Sequence, residues 1–142
     1  MDKINEKFLE YLLYSDKFAI KKKLYLPLQN EKGKIELITY DKKEKIWLDI
    51  NRQGKIQLKV TIQNRYQSLP VVRLDIDSPP HFENGKYSSR NHIHIYNAKK
   101  QGNDTYDLED LSWFNLDDLS FISVLNQFLN KYNIKINTQG VI

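Results

Sequence analysis

Cysteine is absent from this 142-residue chain, which excludes both a disulfide framework and a thiolate metal site. Long apolar runs are absent as well, because no stretch approaches the about 20 apolar residues of a membrane-spanning helix. The first residues, 1–7, lack the apolar core of a signal peptide. These absences predict a cytoplasmic protein that has no membrane partner and is stabilised by packing.

Several catalytic motifs are also absent. The five glycines are isolated, so they form no phosphate-binding loop. The chain has neither a G-x-S-x-G nucleophile elbow nor a His-Glu-x-x-His zinc motif. We therefore expect no cofactor.

Charge is distributed unevenly along the chain. Residues 1–103 carry 20 Lys and Arg against 12 Asp and Glu, whereas residues 104–142 carry 2 against 6. The basic part can attract nucleic acid electrostatically, and the acidic part can meet a basic protein. The acidic residues of this second part are Asp104, Asp107, Glu109, Asp110, Asp117 and Asp118.

Hydrophobic periodicity predicts a helix, a series of strands and a second helix. Ile4, Phe8, Tyr11 and Leu12 have helical spacing, and this pattern stops near residues 14–16. Predicted strands cover residues 24–28, 35–40, 45–50, 55–66, 70–77 and 91–96, with Pro27 placing the first of them at an edge. A second helical stripe follows Asn115, the predicted N-cap, and consists of Leu116, Leu119, Ile122, Leu125, Phe128, Leu129 and Tyr132.

These elements predict a single α+β domain over residues 1–142. Its largely antiparallel sheet has about five or six strands, with the N-terminal and C-terminal helices packed on one face. The alternation from Ile56 to Ile62 predicts that these apolar side chains lie beneath a helix, while Lys59, Thr61 and Gln63 are exposed.

One polar surface is predicted on the other face of the sheet. In extended strands alternate side chains share a face, so Arg73 pairs with Asp75, and His92 with His94 and Tyr96. If the two strands are adjacent, these side chains converge in one pocket. We expect them to be exposed, so that replacing both histidines leaves stability nearly unchanged.

The same residues carry a family resemblance. Trp47-Leu48-Asp49-Ile50-Asn51-Arg52, Gln63-Asn64-Arg65-Tyr66, Arg73-Leu74-Asp75-Ile76, His81 and His92-Ile93-His94-Ile95-Tyr96 resemble a family of small uncharacterised bacterial proteins associated with mobile elements. The order Arg73, Asp75, Pro80-His81, His92 and His94 is also similar, more distantly, to TumE-type toxins of toxin–antitoxin pairs. This second resemblance implies a compact ribonuclease-like fold that attacks RNA, with a cognate antitoxin as partner.

Metal-independent RNA cleavage needs an acid, a base and a cation for the phosphate. Histidine suits the first two roles because its pKa lies near neutral pH, so we assign them to His92 and His94. Arg73 and Arg65 would contact phosphate, Asp75 would orient a histidine, and Tyr96 would stack or donate a proton. The candidate nucleic-acid-binding residues are Arg65, Lys59, Tyr66, Arg52 and Arg90, with Tyr66 and Tyr87 able to stack on bases.

Two alternatives remain open. His92 and His94 could hold a metal ion, with His81 or Asp75 as a third ligand. Alternatively the protein is non-catalytic, a phage or mobile-element protein that binds and inhibits a host protein or defence complex through its acidic stretch.

Overall fold

The computed structural model describes residues 4–53, 59–76, 82–83, 85–87 and 91–137, and for residues 82–83 and 86–87 the backbone alone. Two α-helices, one short 3₁₀ helix and ten strands make up these segments. In chain order they are α1 (Glu6–Tyr14), β1 (Lys17–Ala19), β2 (Lys32–Thr39), β3 (Lys45–Gln53), β4 (Lys59–Tyr66), β5 (Leu69–Ile76), β6 (Phe82–Glu83), β7 (Lys86–Tyr87), β8 (His92–Asn97), β9 (Gly102–Asp107), the 3₁₀ helix (Leu108–Asp110), α2 (Phe121–Lys131) and β10 (Ile134–Lys135).

Eight strands form one sheet in the order β10-β1-β2-β3-β4-β5-β8-β9, and β6 and β7 form a separate hairpin. Neighbouring strands of the large sheet are antiparallel except β1 and β10, which are parallel. The molecule has α+β character, but the predicted sheet of about five or six strands is wrong. The additional strands are short or polar: β1 has three residues, β10 has two, and β9 reads Gly-Asn-Asp-Thr-Tyr-Asp. None of them carries the apolar alternation on which strand prediction depends.

The apolar face of the sheet forms the core together with both helices. The buried strand residues alternate along each central strand, for example Ile46, Leu48 and Ile50 on β3. They join one cluster with the buried residues of α1 (Leu9, Leu12, Leu13) and α2 (Phe121, Val124, Leu125, Phe128, Leu129). Val60 and Ile62 are buried as predicted, whereas residues 56–58 lie outside the described part of the chain. Lys59, Thr61 and Gln63 face the opposite side but are half-buried rather than exposed.

The first helix matches its prediction and the second begins later than predicted. The Asn5 side chain caps α1 by accepting a hydrogen bond from the Phe8 N–H at 2.8 Å, and the helix ends at Tyr14. The N-cap of α2 is Ser120, not Asn115. Asn115 instead accepts from the Asp117 N–H at 2.8 Å, a local turn that holds this segment out of the helix.

The segment 24–28 forms no strand, contrary to the prediction. Its backbone groups bond to side chains: the Pro27 carbonyl accepts from Arg52 at 2.9 Å, and the Leu28 N–H donates to Glu31 at 2.8 Å. Proline has no N–H to donate to a neighbouring strand, so this segment forms hydrogen bonds with side chains instead of pairing in the sheet. The strand β2 starts at Lys32, three residues before the predicted start.

A buried lysine joins the ends of both helices to the sheet. The Lys17 side chain is fully buried, and its ammonium donates to the carbonyls of Leu13, Ser15 and Tyr132 at 2.8, 3.0 and 2.7 Å. Leu13 and Ser15 lie at the end of α1, and Tyr132 is the C-cap of α2. The ammonium therefore satisfies carbonyls that each helix leaves without an intrahelical partner.

We expect Leu125→Ala to lower the free energy of unfolding by about 2–5 kcal/mol, because Leu125 is a fully buried residue of α2 in the hydrophobic core. Urea denaturation measures the change. Ile122→Ala, on the half-buried side of the same helix, is the matched control and should cost clearly less. Equal losses in the two variants would contradict the orientation of α2.

The buried Lys17 should also make stability depend on pH. Burial lowers the pKa of Lys17 to about 7, while the charge of Asp16 acts in the opposite direction. Between that value and the ordinary lysine pKa of about 10.4, the unfolded chain binds a proton that the folded chain has released. The free energy of unfolding should therefore rise with pH across this window relative to its value below pH 7.

Denaturation curves of the protein and of Lys17→Met at several pH values test this dependence. The rise should be absent from Lys17→Met and kept in Lys45→Met, which removes an exposed lysine of β3. An identical pH profile in all three proteins would show that Lys17 does not titrate in this range.

Candidate functional site

Two rows of polar side chains cross the face of the sheet that α1 and α2 leave open. The strand registers align six strands, β2, β3, β4, β5, β8 and β9, so that each contributes one residue to each row. The first row is Lys34, Asp49, Gln63, Arg73, His94 and Thr105, and the second is Lys32, Asn51, Thr61, Asp75, His92 and Asp107.

Where the rows cross β5 and β8, four side chains meet as predicted. Asp75 and Arg73 lie opposite His92 and His94 respectively in the strand register. One carboxylate oxygen, Asp75 Oδ2, lies 3.0 Å from Arg73 Nε, 3.3 Å from His92 Nε2 and 3.2 Å from His94 Nε2. Arg73, Asp75, His92 and His94 are called the Asp75 cluster below. The prediction that these residues converge is confirmed.

Three of the four residues of the Asp75 cluster are buried, which the alternation of polar and apolar residues did not predict. Asp75, His92 and His94 are 3%, 0% and 8% exposed, although they lie on the polar face. The expectation that both histidines are exposed is therefore wrong, and the predicted small effect of replacing them on stability loses its basis. Burying polar groups is costly unless they are hydrogen-bonded, so these residues form a connected network.

Asp75 is held in its charged form by this network. Burial by itself would raise the pKa of Asp75, but hydrogen bonds from His92 and His94, the charge of Arg73 and a hydrogen bond from Thr61 lower the pKa well below its usual range. The Thr61 hydroxyl donates to Asp75 Oδ1 at 2.8 Å. The carboxylate is thus the anionic centre around which the other groups are arranged.

The contacts of His94 define its role in the cluster. Its Nε2 faces Asp75, and its Nδ1 lies 2.9 Å from the Thr105 hydroxyl. In the neutral imidazole that donates Nε2–H to Asp75, Nδ1 accepts from Thr105; with Nδ1 protonated, the direction reverses. The two imidazole rings are nearly perpendicular, with centroids 4.7 Å apart. Both histidines therefore direct the same nitrogen toward one carboxylate oxygen rather than toward two sides of a substrate.

Asp75, His92 and His94 are also arranged as metal ligands would be. One carboxylate oxygen and two imidazole nitrogens lie within 4.8 Å of one another. Two histidines and one carboxylate are a donor set for zinc, iron or manganese. His81, the alternative third ligand predicted from the sequence, lies outside the described residues.

A groove of about 550 Å³ lies on the open face beside the Asp75 cluster. Its side-chain lining comes from the two polar rows on β2, β3 and β4: Lys32, Lys34, Asp49, Asn51, Thr61 and Gln63. Thr61 belongs to both features, since it lines the groove and donates to Asp75. The groove therefore ends one side chain away from the Asp75 cluster, at Thr61.

A second, smaller concavity of about 260 Å³ adjoins the groove through Lys34, which lines both. It contains Lys21, Lys23, Tyr25 and Trp47. Tyr25 is 79% exposed. The Trp47 ring lies near two cations, with Lys34 Nζ 5.0 Å and the Arg65 guanidinium 5.7 Å from its centroid.

The predicted nucleic-acid-binding residues are divided between the two faces of the sheet. Arg65 and Lys59 lie on the open face, where Arg65 forms a bidentate ion pair with Asp49 at 2.7 and 3.1 Å. Tyr66 and Arg52 lie on the helical side: Tyr66 packs against Phe8, and the Arg52 guanidinium stands 4.0 Å from the Phe121 ring centroid.

The remaining predicted residues lie apart from the Asp75 cluster or outside the described part. Tyr96 is half-buried on the open face of β8, and no hydrogen bond between it and the cluster is seen among the described side chains. The side chains of Tyr87 and Arg90 are not among those described. Of the acidic stretch, Glu109, Asp110, Asp117 and Asp118 are exposed, while Asp104 forms an ion pair with Lys100 at 2.6 Å.

Sequence reasoning missed Thr105, Lys32 and Lys34. Thr105 lies on β9, whose polar composition gives no strand signal. Lys32 and Lys34 fall in a segment that reads as a turn around Gly33. The sequence did contain one indication for the two lysines. They are two residues apart, so they continue the alternation of side chains along β2.

Comparison with known proteins gives a family and no function. No helix in the described part of the chain is long and apolar enough to cross a membrane. No curated protein and no solved structure shows significant similarity to the chain. One family model matches residues 4–134, which include both helices and every strand of the open face. The chain therefore belongs to DUF6978, a family of unknown function.

Proposed function

We propose that this protein binds single-stranded RNA along the open face of its sheet, with the phosphodiester backbone in the groove beside the Asp75 cluster. The observation that carries the proposal is a path of two adjoining concavities that share Lys34, one lined by Thr61 next to Asp75 and the other by Tyr25. A path of this kind joins cations for phosphates to an aromatic ring for a base.

Charge at the groove supports an anionic ligand there. Arg65 neutralises Asp49, and Arg73 lies against Asp75, so the two carboxylates nearest the groove are already paired. Lys32 and Lys34 are exposed and form no ion pair with any residue that the structure describes. Their ammonium groups are therefore available to phosphate oxygens.

Aromatic side chains support a single strand rather than a duplex. Tyr25 exposes most of its surface beside Lys21 and Lys23, which suits stacking on an unpaired base. Trp47 lines the same concavity as this tyrosine and adds a second aromatic ring to it. Bases in a duplex are already stacked on one another, so they could not use such a ring.

The resemblance to TumE-type toxins suggests RNA as the nucleic acid and an antitoxin as partner. The resemblance to small bacterial proteins associated with mobile elements suggests a mobile-element setting, and in this proposal the protein acts in the cytoplasm. Cleavage of the bound strand by His92 and His94 as acid and base stays a prediction, since both Nε2 atoms face Asp75. The non-catalytic inhibitor of a host protein likewise stays a prediction.

RNA binding can be tested with the double variant Lys32→Gln/Lys34→Gln. Fluorescence anisotropy of a labelled uridine dodecamer, measured at several salt concentrations, gives the dissociation constant and its salt dependence. Loss of two phosphate contacts should reduce the slope of log K against log salt by about 1.4, since single strands give about 0.7 per contact. Affinity at low salt should fall about tenfold or more.

The matched control is Lys42→Gln/Lys43→Gln, which removes two exposed lysines from the turn between β2 and β3. It changes the net charge equally but leaves the open face intact, so its affinity and salt slope should stay near those of the unmodified protein. Equal losses of affinity in both variants would show that binding depends on the net charge of the protein and not on the open face. No measurable binding by the unmodified protein would exclude the proposal.

A separate prediction concerns stacking. Tyr25→Ala should weaken binding of the same dodecamer by about 1–3 kcal/mol, the range for one base stacked on an aromatic ring, without changing the salt slope. Tyr25→Phe should retain most of the affinity because the ring is kept. Tyr40→Ala removes another exposed tyrosine, outside the path, and should have no effect.

A further inference from the structure

The geometry points to a binding site for one divalent transition-metal ion, Zn²⁺ above all, formed by Asp75 Oδ2, His92 Nε2 and His94 Nε2. These three atoms come from adjacent strands, β5 and β8, whose register sets Asp75 opposite His92. The inference does not depend on RNA binding, because a metal site in this position would exist whether or not the groove accepts a nucleic acid.

Two of the three distances between the ligand atoms of the proposed site match the spacing around one zinc ion, and the third is no longer than 4.8 Å. Zinc lies about 2.0–2.1 Å from imidazole nitrogen and carboxylate oxygen, so two ligands of a tetrahedral site are about 3.3–3.4 Å apart. The distances from Asp75 Oδ2 to the two Nε2 atoms are 3.3 and 3.2 Å. The distances from the carboxylate oxygen to the two imidazole nitrogens therefore already equal, or nearly equal, those between two ligands of one zinc ion.

The choice of nitrogen also favours a shared ion. A carboxylate that only orients a histidine needs one imidazole, but here two imidazoles turn the same nitrogen toward the same oxygen. Their rings are nearly perpendicular, so the two imidazoles occupy different planes around this oxygen. Removing the two Nε2 protons would make both lone pairs available to one ion.

Outer contacts of the kind that accompany metal ligands are present. Metal-bound histidines commonly donate their second N–H to a hydrogen-bond acceptor, which fixes the ring and its tautomer. His94 Nδ1 has such a partner in the Thr105 hydroxyl at 2.9 Å. The second oxygen of Asp75 accepts from Thr61 at 2.8 Å, which orients the carboxylate. All of these residues lie on strands of the large sheet rather than on loops.

Arg73 sets a limit on the site. Its Nε also contacts Asp75 Oδ2, at 3.0 Å, and a bound cation would repel it. The Arg73 side chain is 37% exposed and can turn toward solvent, so the ion would replace it at that oxygen. Removing its charge with Arg73→Gln should therefore strengthen metal binding, an effect that a purely structural role of the histidines would not produce.

The donor set selects the kind of ion. Two imidazoles and one carboxylate suit zinc and its first-row neighbours, whereas calcium and magnesium prefer oxygen ligands. Three protein ligands would leave at least one coordination position for another group.

Isothermal titration of the metal-free protein with Zn²⁺ tests the inference, followed by Co²⁺ absorption as a readout of coordination. One equivalent should bind and raise the thermal unfolding midpoint, because the ion binds the folded state. Asp75→Asn and His94→Gln should weaken binding more than about 100-fold, since loss of an outer-shell partner alone costs 10–100-fold. Asp49→Asn, which changes a carboxylate of the neighbouring row, is the matched control and should bind normally.

A measurement on the unmodified protein keeps the test independent of folding defects. The chain has three histidines, so ¹⁵N-labelled imidazole signals can be assigned individually. Zn²⁺ should shift the Nε2 signals of His92 and His94 together at one equivalent. Absence of saturable binding, or shifts confined to His81, would overturn the inference and leave the Asp75 cluster as a hydrogen-bonded network. RNA binding measured with and without EDTA then tests the proposed function separately.

Discussion

Within the described part of the chain, the open face of the sheet depends on one buried negative charge, that of Asp75. Its Oδ2 atom gathers one arginine and two histidines from β5 and β8, and its Oδ1 atom bonds to Thr61 on β4. One carboxylate thereby links three adjacent strands on the face that the helices do not cover. Without its charge, the buried imidazoles would face one another with no anion between them, which low-polarity surroundings penalise.

Thr61 connects the two features of this face. It lines the groove and also donates to the carboxylate at the centre of the Asp75 cluster. A ligand that contacts the Thr61 hydroxyl would compete for the same hydrogen bond and so alter the environment of Asp75. Occupation of the groove and the state of the Asp75 cluster are thus physically coupled through one side chain, over the width of a single strand.

The sequence predicted those parts of the structure that depend on alternation. Arg73, Asp75, His92 and His94 share a face because strands have a period of two, and their pairing required only that β5 and β8 be neighbours. Burial of the histidines could not be predicted, because alternation distinguishes the two faces without telling which is covered. The strands β1, β9 and β10 were missed since tertiary pairing, rather than local composition, stabilises them. The start of α2 was misplaced because Asn115 forms a local turn of its own.

The parallel pairing of β1 with β10 has a consequence for synthesis of the chain. Lys17 of β1 pairs with Ile134, and its ammonium bonds to Tyr132, residues made more than a hundred positions later. Until those residues have left the ribosome, the ammonium has only the acceptors at the end of α1, and one edge of β1 has no strand beside it. Completion of the sheet at this edge is therefore a late step of folding, and nascent chains would expose β1 to chaperones or to one another while β2 to β5 can already pair.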